Sequence, residues 1–228
     1  VVLPFLESHR DWRVDPPVDL AWIHPLQILD FGLRGARGTE LVNPAAMLFA
    51  GNEKLEPAAL GALMPESVVS AHWETLAAFG QRQGRVVMKP LHQAQSKGIE
   101  LLDFGQDAAG ARRSIEAASN QLAQPILLQR YLPGIADGET RVWYVDGKLL
   151  GAIRKYPVKG DFRVNMDGGS RLGPATLTPA ERKTSDAIAR QLKPAAFLLY
   201  DGRGARTRGE PVPTATLMAV LVAIENLR

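Results

Sequence analysis

The most constraining feature of the sequence is a β-hairpin signal over residues 141–154. Two runs rich in β-branched, aromatic and aliphatic residues, Arg-Val-Trp-Tyr-Val and Lys-Leu-Leu-Gly-Ala-Ile-Arg, flank the pair Asp146-Gly147. An Asp-Gly pair readily takes the positive φ angles of a type I′ turn, so the two runs are expected to pair as antiparallel strands. Any fold for this chain must therefore accommodate strands joined by a tight turn.

The rest of the chain mixes helical and strand patterns. Apolar spacing predicts helices over residues 20–31, 71–83, 108–122, 178–192 and 217–227, and strands over residues 66–69, 85–90, 99–104, 126–131 and 197–200. Thr178 and Glu181 form a capping-box pattern around Pro179, which is typical of a helix start. This mixture indicates an α+β or α/β protein, and a change in composition near Gln124-Pro125 suggests two α+β lobes.

Composition excludes several classes of protein. The chain is 46% hydrophobic and 22% charged, which excludes disordered, collagen-like and coiled-coil proteins. A net charge of +3 gives no argument for nucleic-acid binding. The absence of cysteine excludes disulfides, thiolate metal ligands and a cysteine nucleophile. None of the four histidines stand at i, i+4 spacing, which argues against a zinc site built from them.

The sequence also predicts where the protein acts. Its longest apolar stretch, residues 217–224, is well short of the ~20 residues of a membrane span, and no secretory-signal pattern opens the chain. We therefore expect a cytoplasmic protein without a membrane partner. Residues 1–6 read as the end of a buried strand, so an N-terminal truncation is expected.

Several short motifs follow one another in a fixed order. They occupy residues 52–55, 87–91, 128–133, 137–142, 145–148, 154–157 and 160–165. In this order they resemble the ATP-grasp motifs of bacterial glutathione synthetases, over nearly the whole chain. Residues 15–19 and 42–44 also fall where that family has Asp-Pro-Pro and Val-Asn segments. Each motif alone is weak, whereas their ordered spacing is specific.

The resemblance implies a fold and its division into domains. The expected fold class is α+β, an ATP-grasp fold with a small α+β lid lobe and a larger β-rich lobe. The tail of a truncated Rossmann-like domain would precede them. The boundaries implied are residues 1–43 for that tail, 44–128 for the small lobe and 129–228 for the C-terminal lobe. Because members of the family assemble as homo-oligomers, a homo-oligomer is also implied.

The resemblance further implies ATP and Mg²⁺ as cofactors and assigns residues to the nucleotide. Lys54 and Lys89 match lysines that reach the triphosphate from the smaller lobe. Glu139 matches an acidic residue on the ribose hydroxyls. The adenine would be held by backbone groups of an interlobe hinge, namely Gln129, Arg130, Tyr131 and Leu132.

The catalytic and metal residues follow from the same resemblance. Arg141, Arg154 and Arg163 match arginines that face the phosphates or the acyl phosphate, where permanently charged planar groups suit oxyanions. Asn165 matches the substrate-side loop. Asp201 and Glu210 match the two carboxylates that bind Mg²⁺, a metal that prefers oxygen ligands.

Three features depart from the family pattern. The phosphate-covering loop of the family is glycine-rich, whereas residues 92–98 contain a single glycine, Gly98. Val212 stands where the family has an asparagine metal ligand, and valine cannot coordinate Mg²⁺. Arginines crowd the segment between the two expected metal carboxylates, where positive charge opposes cation binding: Arg203, Arg206 and Arg208.

The leading hypothesis is therefore an ATP-dependent carboxylate–amine ligase similar to glutathione synthetase. Its substrates would be a dipeptide, γ-glutamylcysteine, and an amino acid, glycine. Two alternatives stay open at this point. One is a degenerate paralogue that keeps the fold and has become a binding or regulatory protein. The other is an ATP-grasp ligase that acts on different substrates.

Overall fold

The computed structural model of the protein describes residues 20–33, 52, 54–93, 96–145, 148–164, 168–192, 198–200, 216–218 and 222–225. A helix, α1 (Leu20–Leu33), comes first, as the apolar spacing predicts. The Rossmann-like tail expected over residues 1–43 otherwise falls outside these ranges. None of the helices described is long and apolar enough to cross a bilayer.

The first sheet is antiparallel and contains four strands in the order β1-β4-β2-β3. Its strands and their helices are β1 (Ser67–Ser70), α2 (Trp73–Gln83), β2 (Arg85–Pro90), β3 (Glu100–Asp103), α3 (Ala108–Ala118) and β4 (Ile126–Arg130). Gly84 ends α2 with a φ of +72°, a value that glycine adopts without strain. All six elements were predicted from the sequence, although α3 ends four residues before its expected end.

Strand alternation divides this sheet into two faces. On β2 the side chains of Val86 and Met88 are fully buried, in a core with Leu76 of α2 and Ile115 of α3. Val87 and Lys89, the intervening residues, are only partly buried. Because successive side chains of a strand point to opposite faces, helices cover one face and leave Lys89 on the other.

The second sheet is also antiparallel, in the order β10-β5-β6-β7. Its strands are β5 (Glu139–Val145), β6 (Lys148–Tyr156), β7 (Arg171–Pro174) and β10 (Val222–Glu225), and the helix α4 (Pro179–Leu192) follows β7. Two further strands, β8 (Leu198–Tyr200) and β9 (Thr216–Met218), form a separate antiparallel pair. Val145 pairs with Lys148, so two residues connect β5 to β6 and the predicted hairpin is confirmed. The capping box is confirmed as well, since Glu181 N donates to Thr178 Oγ1 at 3.2 Å and Thr178 N donates to Glu181 Oε2 at 2.8 Å.

The helix predicted over residues 217–227 is wrong. Residues 216–218 and 222–225 are strands, and Val222 and Ile224 of β10 pair with Val142 and Thr140 of β5. A short apolar run has no periodicity that separates a buried helix from a buried strand. The β-branched residues of this run and the free edge of β5 decide in favour of a strand.

Helix α4 covers one face of the second sheet. Val142 and Tyr144 of β5 are fully buried and share a core with Ile188 of α4. The hydroxyl of Tyr144 lies 2.7 Å from Ser185 Oγ and donates to Asp186 Oδ1 at 2.6 Å. This hydrogen bond holds the pKa of the Asp186 carboxyl below its usual range, against the opposing effect of burial.

We predict that Tyr144→Phe destabilises the protein by about 1–3 kcal/mol at pH 7, because the partly buried Asp186 carboxylate loses a donor. A carboxyl whose pKa is lowered by folding stabilises above its unfolded pKa of about 3.9 and loses that contribution as the pH falls through its folded pKa. The difference in unfolding free energy between wild type and variant should therefore shrink under acid conditions. Urea denaturation at several pH values measures it.

The matched control is Tyr156→Phe, which removes the same hydroxyl from β6 of the same sheet. This control should change the unfolding free energy by less than about 0.5 kcal/mol at every pH. A Tyr144→Phe effect that stays constant between pH 7 and pH 3 would contradict the role given to Asp186.

Candidate functional site

A cleft lies between the faces of the two sheets that helices leave uncovered. Among the residues described, its lining includes eight that were predicted from the sequence: Lys89, Gln129, Arg130, Tyr131, Leu132, Glu139, Arg141 and Arg163. The other lining residues are mostly apolar: Val87, Ser96, Ile99, Ile135, Phe162 and Val164. The structure thus brings residues of both sheets and of the segment between them to one site.

The first sheet contributes a lysine and a glutamine from adjacent strands. Lys89 Nζ donates to Gln129 Oε1 at 2.7 Å. Gln129 is buried, and its Cα pairs with that of Val87, two residues before Lys89 on the same face of β2. Lys89 therefore leaves its strand with its ammonium held at the wall of the cleft.

The second sheet contributes an ion pair. Arg141 Nε donates to Glu139 Oε1 at 2.6 Å, and the two residues lie two positions apart on β5, on its cleft face. Thr140, between them, points to the opposite face and is fully buried. The side chains of Arg141 and Glu139 are 30% and 12% exposed, so the ion pair is partly buried.

Sequence reasoning missed Lys155, which lies beside Glu139 on the neighbouring strand β6. Its Cα pairs with that of Glu139, its side chain is buried, and its Nζ donates to the carbonyl of Val164 at 2.9 Å. Burial lowers the pKa of the Lys155 ammonium, the charge of Arg141 lowers it further, and the Glu139 carboxylate opposes both. A register shift between Trp143 and Tyr144 places Lys155 there, because an unbroken register from the Val145–Lys148 pair would set Arg154 opposite Glu139. No signal in the sequence alone identified this lysine.

The structure places Arg154 away from the cleft lining. It pairs with Thr140 across the hairpin, and its guanidinium donates to Thr140 Oγ1 at 2.8 Å and to Glu181 Oε1 at 2.8 Å. Burial acts to raise the pKa of Glu181. Hydrogen bonds from Thr178 and the charge of Arg154 outweigh this effect and hold that pKa below its usual range. Here Arg154 joins β6 to α4.

An aromatic contact closes one side of the cleft. The Tyr131 ring lies under the guanidinium of Arg85, at 4.5 Å, and meets the Phe162 ring edge to face at 6.4 Å between centroids. Tyr131 N also donates to the carbonyl of Arg85 at 3.1 Å. Arg85 belongs to the first sheet, and Phe162 follows strand β6 of the second sheet. Tyr131 therefore joins the two halves of the site.

Arg163 enters the cleft from the segment after β6. Its guanidinium donates to both carboxylate oxygens of Asp161, with the shortest distance 3.0 Å, and its backbone N donates to Asp161 Oδ1 at 2.9 Å. These hydrogen bonds from Arg163 hold the pKa of Asp161 below its usual range. Two of the arginines in the lining are thus each oriented by a carboxylate two residues away.

Lys54 lies beside the cleft rather than in its lining. Its ammonium donates to the carbonyl of Gln93, and the Asn52 side chain donates to the carbonyl of Leu91 at 3.1 Å. Both contacts attach this segment to the loop after β2. In that loop Ser96 and Gly98 have φ values of +61° and +67°, so a left-handed backbone occurs there at a position without glycine.

The cleft is positively charged. Four of the residues that line it are basic, Lys89, Arg130, Arg141 and Arg163, and one is acidic, Glu139. Apolar residues of both halves surround them. A site with apolar walls and convergent cationic groups fits a ligand that has a flat apolar part and several negative charges.

The residues expected to bind metal lie outside the part of the chain that the structure describes. Asp201 and Glu210 fall there, as do Asn165 of the substrate-side loop and Val212. Within the described ranges, no group of three or more His, Asp or Glu residues could hold a metal ion.

Comparison with known proteins gives one consistent result. A family model described as the prokaryotic glutathione synthetase ATP-grasp domain matches residues 53–201. A glutathione synthetase of Prochlorococcus marinus (strain MIT 9313) is 34% identical over 84% of this chain and 61% of that protein. That of Agrobacterium fabrum (strain C58 / ATCC 33970) is 30% identical over 82% of this chain and 57% of that protein. The chain thus spans about six-tenths of the length of these relatives.

Solved structures show the same fold. The ATP-grasp ligase PsnB, in complex with a phosphomimetic variant of its minimal precursor, Mg and ADP, has a TM-score of 0.55 at 20% identity, over 78% of this chain and 53% of that chain. The D-cycloserine synthetase DcsG has a TM-score of 0.55 at 20% identity, over 82% of this chain and 69% of that chain. The described part of the chain therefore has the ATP-grasp fold, as predicted.

We predict that Gly138→Ala destabilises the protein by about 1–3 kcal/mol and disturbs the site. Gly138 precedes Glu139, has a φ of +100°, and an added Cβ would lie 2.8 Å from the carbonyl oxygen of Lys155. Both the backbone strain and the close contact act on the segment that places Glu139 and Arg141. Chemical denaturation measures the effect.

Gly151→Ala is the control within the same hairpin, because a Cβ there meets nothing within 4 Å. Equal losses of stability in the two variants would contradict the constraint assigned to Gly138.

Proposed function

This chain belongs to the prokaryotic glutathione synthetase family of ATP-grasp proteins, and we propose on that basis that it is an ATP-dependent carboxylate–amine ligase. The reaction proposed joins γ-glutamylcysteine and glycine into glutathione, with ADP and phosphate as the other products. The curated relatives that share 30–34% identity support it by their names.

The observation that carries the proposal is the convergence of cationic side chains in an apolar cleft between two sheets. Lys89 of the first sheet, Arg141 of the second sheet and Arg163 of the segment after β6 approach it from different elements. A polyphosphate needs several cationic groups at once, since each of its phosphates is charged. We place the phosphates of ATP along these three residues.

The base and ribose of ATP have suitable surroundings in the same cleft. Val87 and Ile99 form part of an apolar wall, and the segment of Tyr131 and Leu132 contributes backbone groups that can bind a base edge. Glu139 is the carboxylate in the lining and can accept hydrogen bonds from ribose hydroxyls. The assignments of Tyr131, Leu132 and Glu139 were expected from the family resemblance, whereas those of Val87 and Ile99 were not.

The chemistry proposed is a phosphoryl transfer followed by an acyl transfer. A substrate carboxylate oxygen attacks the γ-phosphorus of ATP and ADP leaves, which gives an acyl phosphate. The amine of the second substrate attacks its carbonyl carbon, phosphate leaves and the amine loses a proton, which gives the amide. The protein's contribution is to position the groups and to stabilise the negative charge that develops. Arg141 and Arg163 are placed for that second task.

Mg²⁺ fits this proposal through Asp201 and Glu210. Two carboxylates together with phosphate oxygens are the ligand set that this ion prefers, and the ion would neutralise charge on the phosphates. Among the described residues, Lys89, Arg141 and Arg163 would also neutralise charge on the phosphates, and they would orient the nucleotide.

A second candidate function is a degenerate paralogue that binds without catalysis. Val212 and the single glycine of residues 92–98 favour it. The left-handed backbone at Ser96, which lines the cleft, favours the ligase instead, because the loop takes a positive φ there without a glycine. A ligase with different substrates would share the nucleotide site and differ only in the amine and carboxylate that it accepts.

We predict that calorimetric titration with a non-hydrolysable ATP analogue detects binding in the micromolar range, about −8 kcal/mol, only when Mg²⁺ is present. Lys89→Met should weaken this binding at least about tenfold, because one phosphate loses its cationic partner. Lys183→Met, which removes the same charge from the exposed side of α4, is the matched control and should bind as wild type does.

We predict that phosphate release in the presence of γ-glutamylcysteine and glycine falls by about 10²-fold or more in Arg141→Met, because charge developing in the transition state loses a donor. Arg113→Met, at an exposed position of α3, is the control. Binding of the analogue without phosphate release from any dipeptide and amine would favour the paralogue, and release unchanged in Arg141→Met would contradict the site.

A further inference from the structure

A series of hydrogen bonds crosses three adjacent strands on the cleft face of the first sheet. Lys89 Nζ on β2 donates to Gln129 Oε1 on β4 at 2.7 Å, and Gln129 Nε2 donates to Ser67 Oγ on β1 at 3.0 Å. Ser67 Oγ in turn donates to the carbonyl of Pro65 at 2.8 Å. The strand order β1-β4-β2 makes these side chains neighbours, since Ser67 pairs directly with Gln129.

The chemistry of the three side chains fixes the direction of the series. A lysine ammonium can only donate, so the carboxamide of Gln129 must turn its oxygen toward Lys89. Its NH₂ group then faces Ser67, whose hydroxyl accepts from it while donating to Pro65. Gln129 is 7% exposed, and both ends of its amide are bonded, so reversal of the amide would break two partly buried hydrogen bonds.

Gln129 is a neutral partner of Lys89, whereas the arginines in the same cleft have carboxylate partners. Arg141 is held by the carboxylate of Glu139 and Arg163 by that of Asp161. The amide of Gln129 accepts from the Lys89 ammonium and so orients it without itself adding a negative charge beside it.

We propose that Gln129, itself held by Ser67, is a positioning residue that fixes the charged ammonium of Lys89 at the cleft wall before an anionic ligand arrives. A lysine side chain has four rotatable bonds. Ordering the side chain before the ligand binds removes this loss of conformational entropy from the binding step. That the anion is a phosphate of ATP rests on the proposed function, whereas the ordering of Lys89 does not.

Two substitutions separate orientation from charge. Gln129→Met keeps a side chain of similar length and removes the acceptor, so Lys89 should become mobile and the ATP analogue should bind about tenfold more weakly. Gln129→Glu keeps an acceptor and adds a negative charge, so Lys89 should stay fixed while binding still weakens. A residue needed only for packing would not produce this difference between the two variants.

The first readout is nuclear magnetic resonance of ¹³Cε- and ¹⁵Nζ-labelled lysine in the unliganded protein, with the Lys89 signal assigned by its loss in Lys89→Met. The wild type should show a rigid Lys89 side chain, and Gln129→Met should free it. Gln83→Met is the control, because Gln83 donates to Glu66 Oε2 in the same lobe and does not line the cleft. Should Gln129→Met fail to fold, Ser67→Ala replaces it, with a smaller effect in the same direction.

The second readout is a double-mutant cycle measured by titration with the ATP analogue. In the Lys89→Met background, Gln129→Met should cause no further loss of affinity, because Gln129 is proposed to act through Lys89. Equal losses in both backgrounds would assign Gln129 a role of its own and overturn the proposal.

The two readouts keep this proposal distinct from the proposed function. An unchanged Lys89 signal in Gln129→Met overturns the positioning role, even if wild type binds the analogue. A Lys89 side chain that is rigid in wild type and mobile in Gln129→Met supports the positioning role. If the same wild-type protein does not bind the analogue, the proposed function fails while the ordering of Lys89 stands.

Discussion

The two-residue period of the strands is the constraint on which the site depends. In each four-stranded sheet one set of alternate side chains packs under helices, as Met88 does in the first sheet and Val142 in the second. The other set must then face the opposite side, and the two opposite sides together form the cleft. Lys89, Glu139 and Arg141 reach the same space for this reason. A shift of one residue in either register would bury these charges under a helix.

The same constraint explains how much of the site could be predicted. The hairpin and the order of the motifs identified the strands, and eight of the predicted residues line one cleft. Choosing between Arg154 and Lys155 required the pairing register, since two adjacent basic residues on a strand face opposite ways. In the structure Arg154 donates to Glu181 of α4, and Lys155 lies beside Glu139 after a register shift between Trp143 and Tyr144.

Features that depend on contacts distant in sequence were beyond sequence reasoning. The strand of residues 222–225 forms because the edge of β5 is available to it, and nothing local to that apolar run indicates this edge. Likewise, the series from Ser67 through Gln129 to Lys89 joins residues 62 and 40 positions apart. The local ion pairs of Arg141 and Arg163, two residues from their carboxylates, were within reach of strand and turn geometry.

A nucleotide proposed to bind between the two sheets should protect the amides of the cleft, and hydrogen–deuterium exchange measures this protection. With a non-hydrolysable ATP analogue and Mg²⁺, we expect slower exchange in β2, in residues 129–132 and at the start of β5, because these segments contribute the lining. Exchange in α3, on the far side of the first sheet, should not change. Protection confined to α3 or to other segments outside the cleft would contradict nucleotide binding between the sheets.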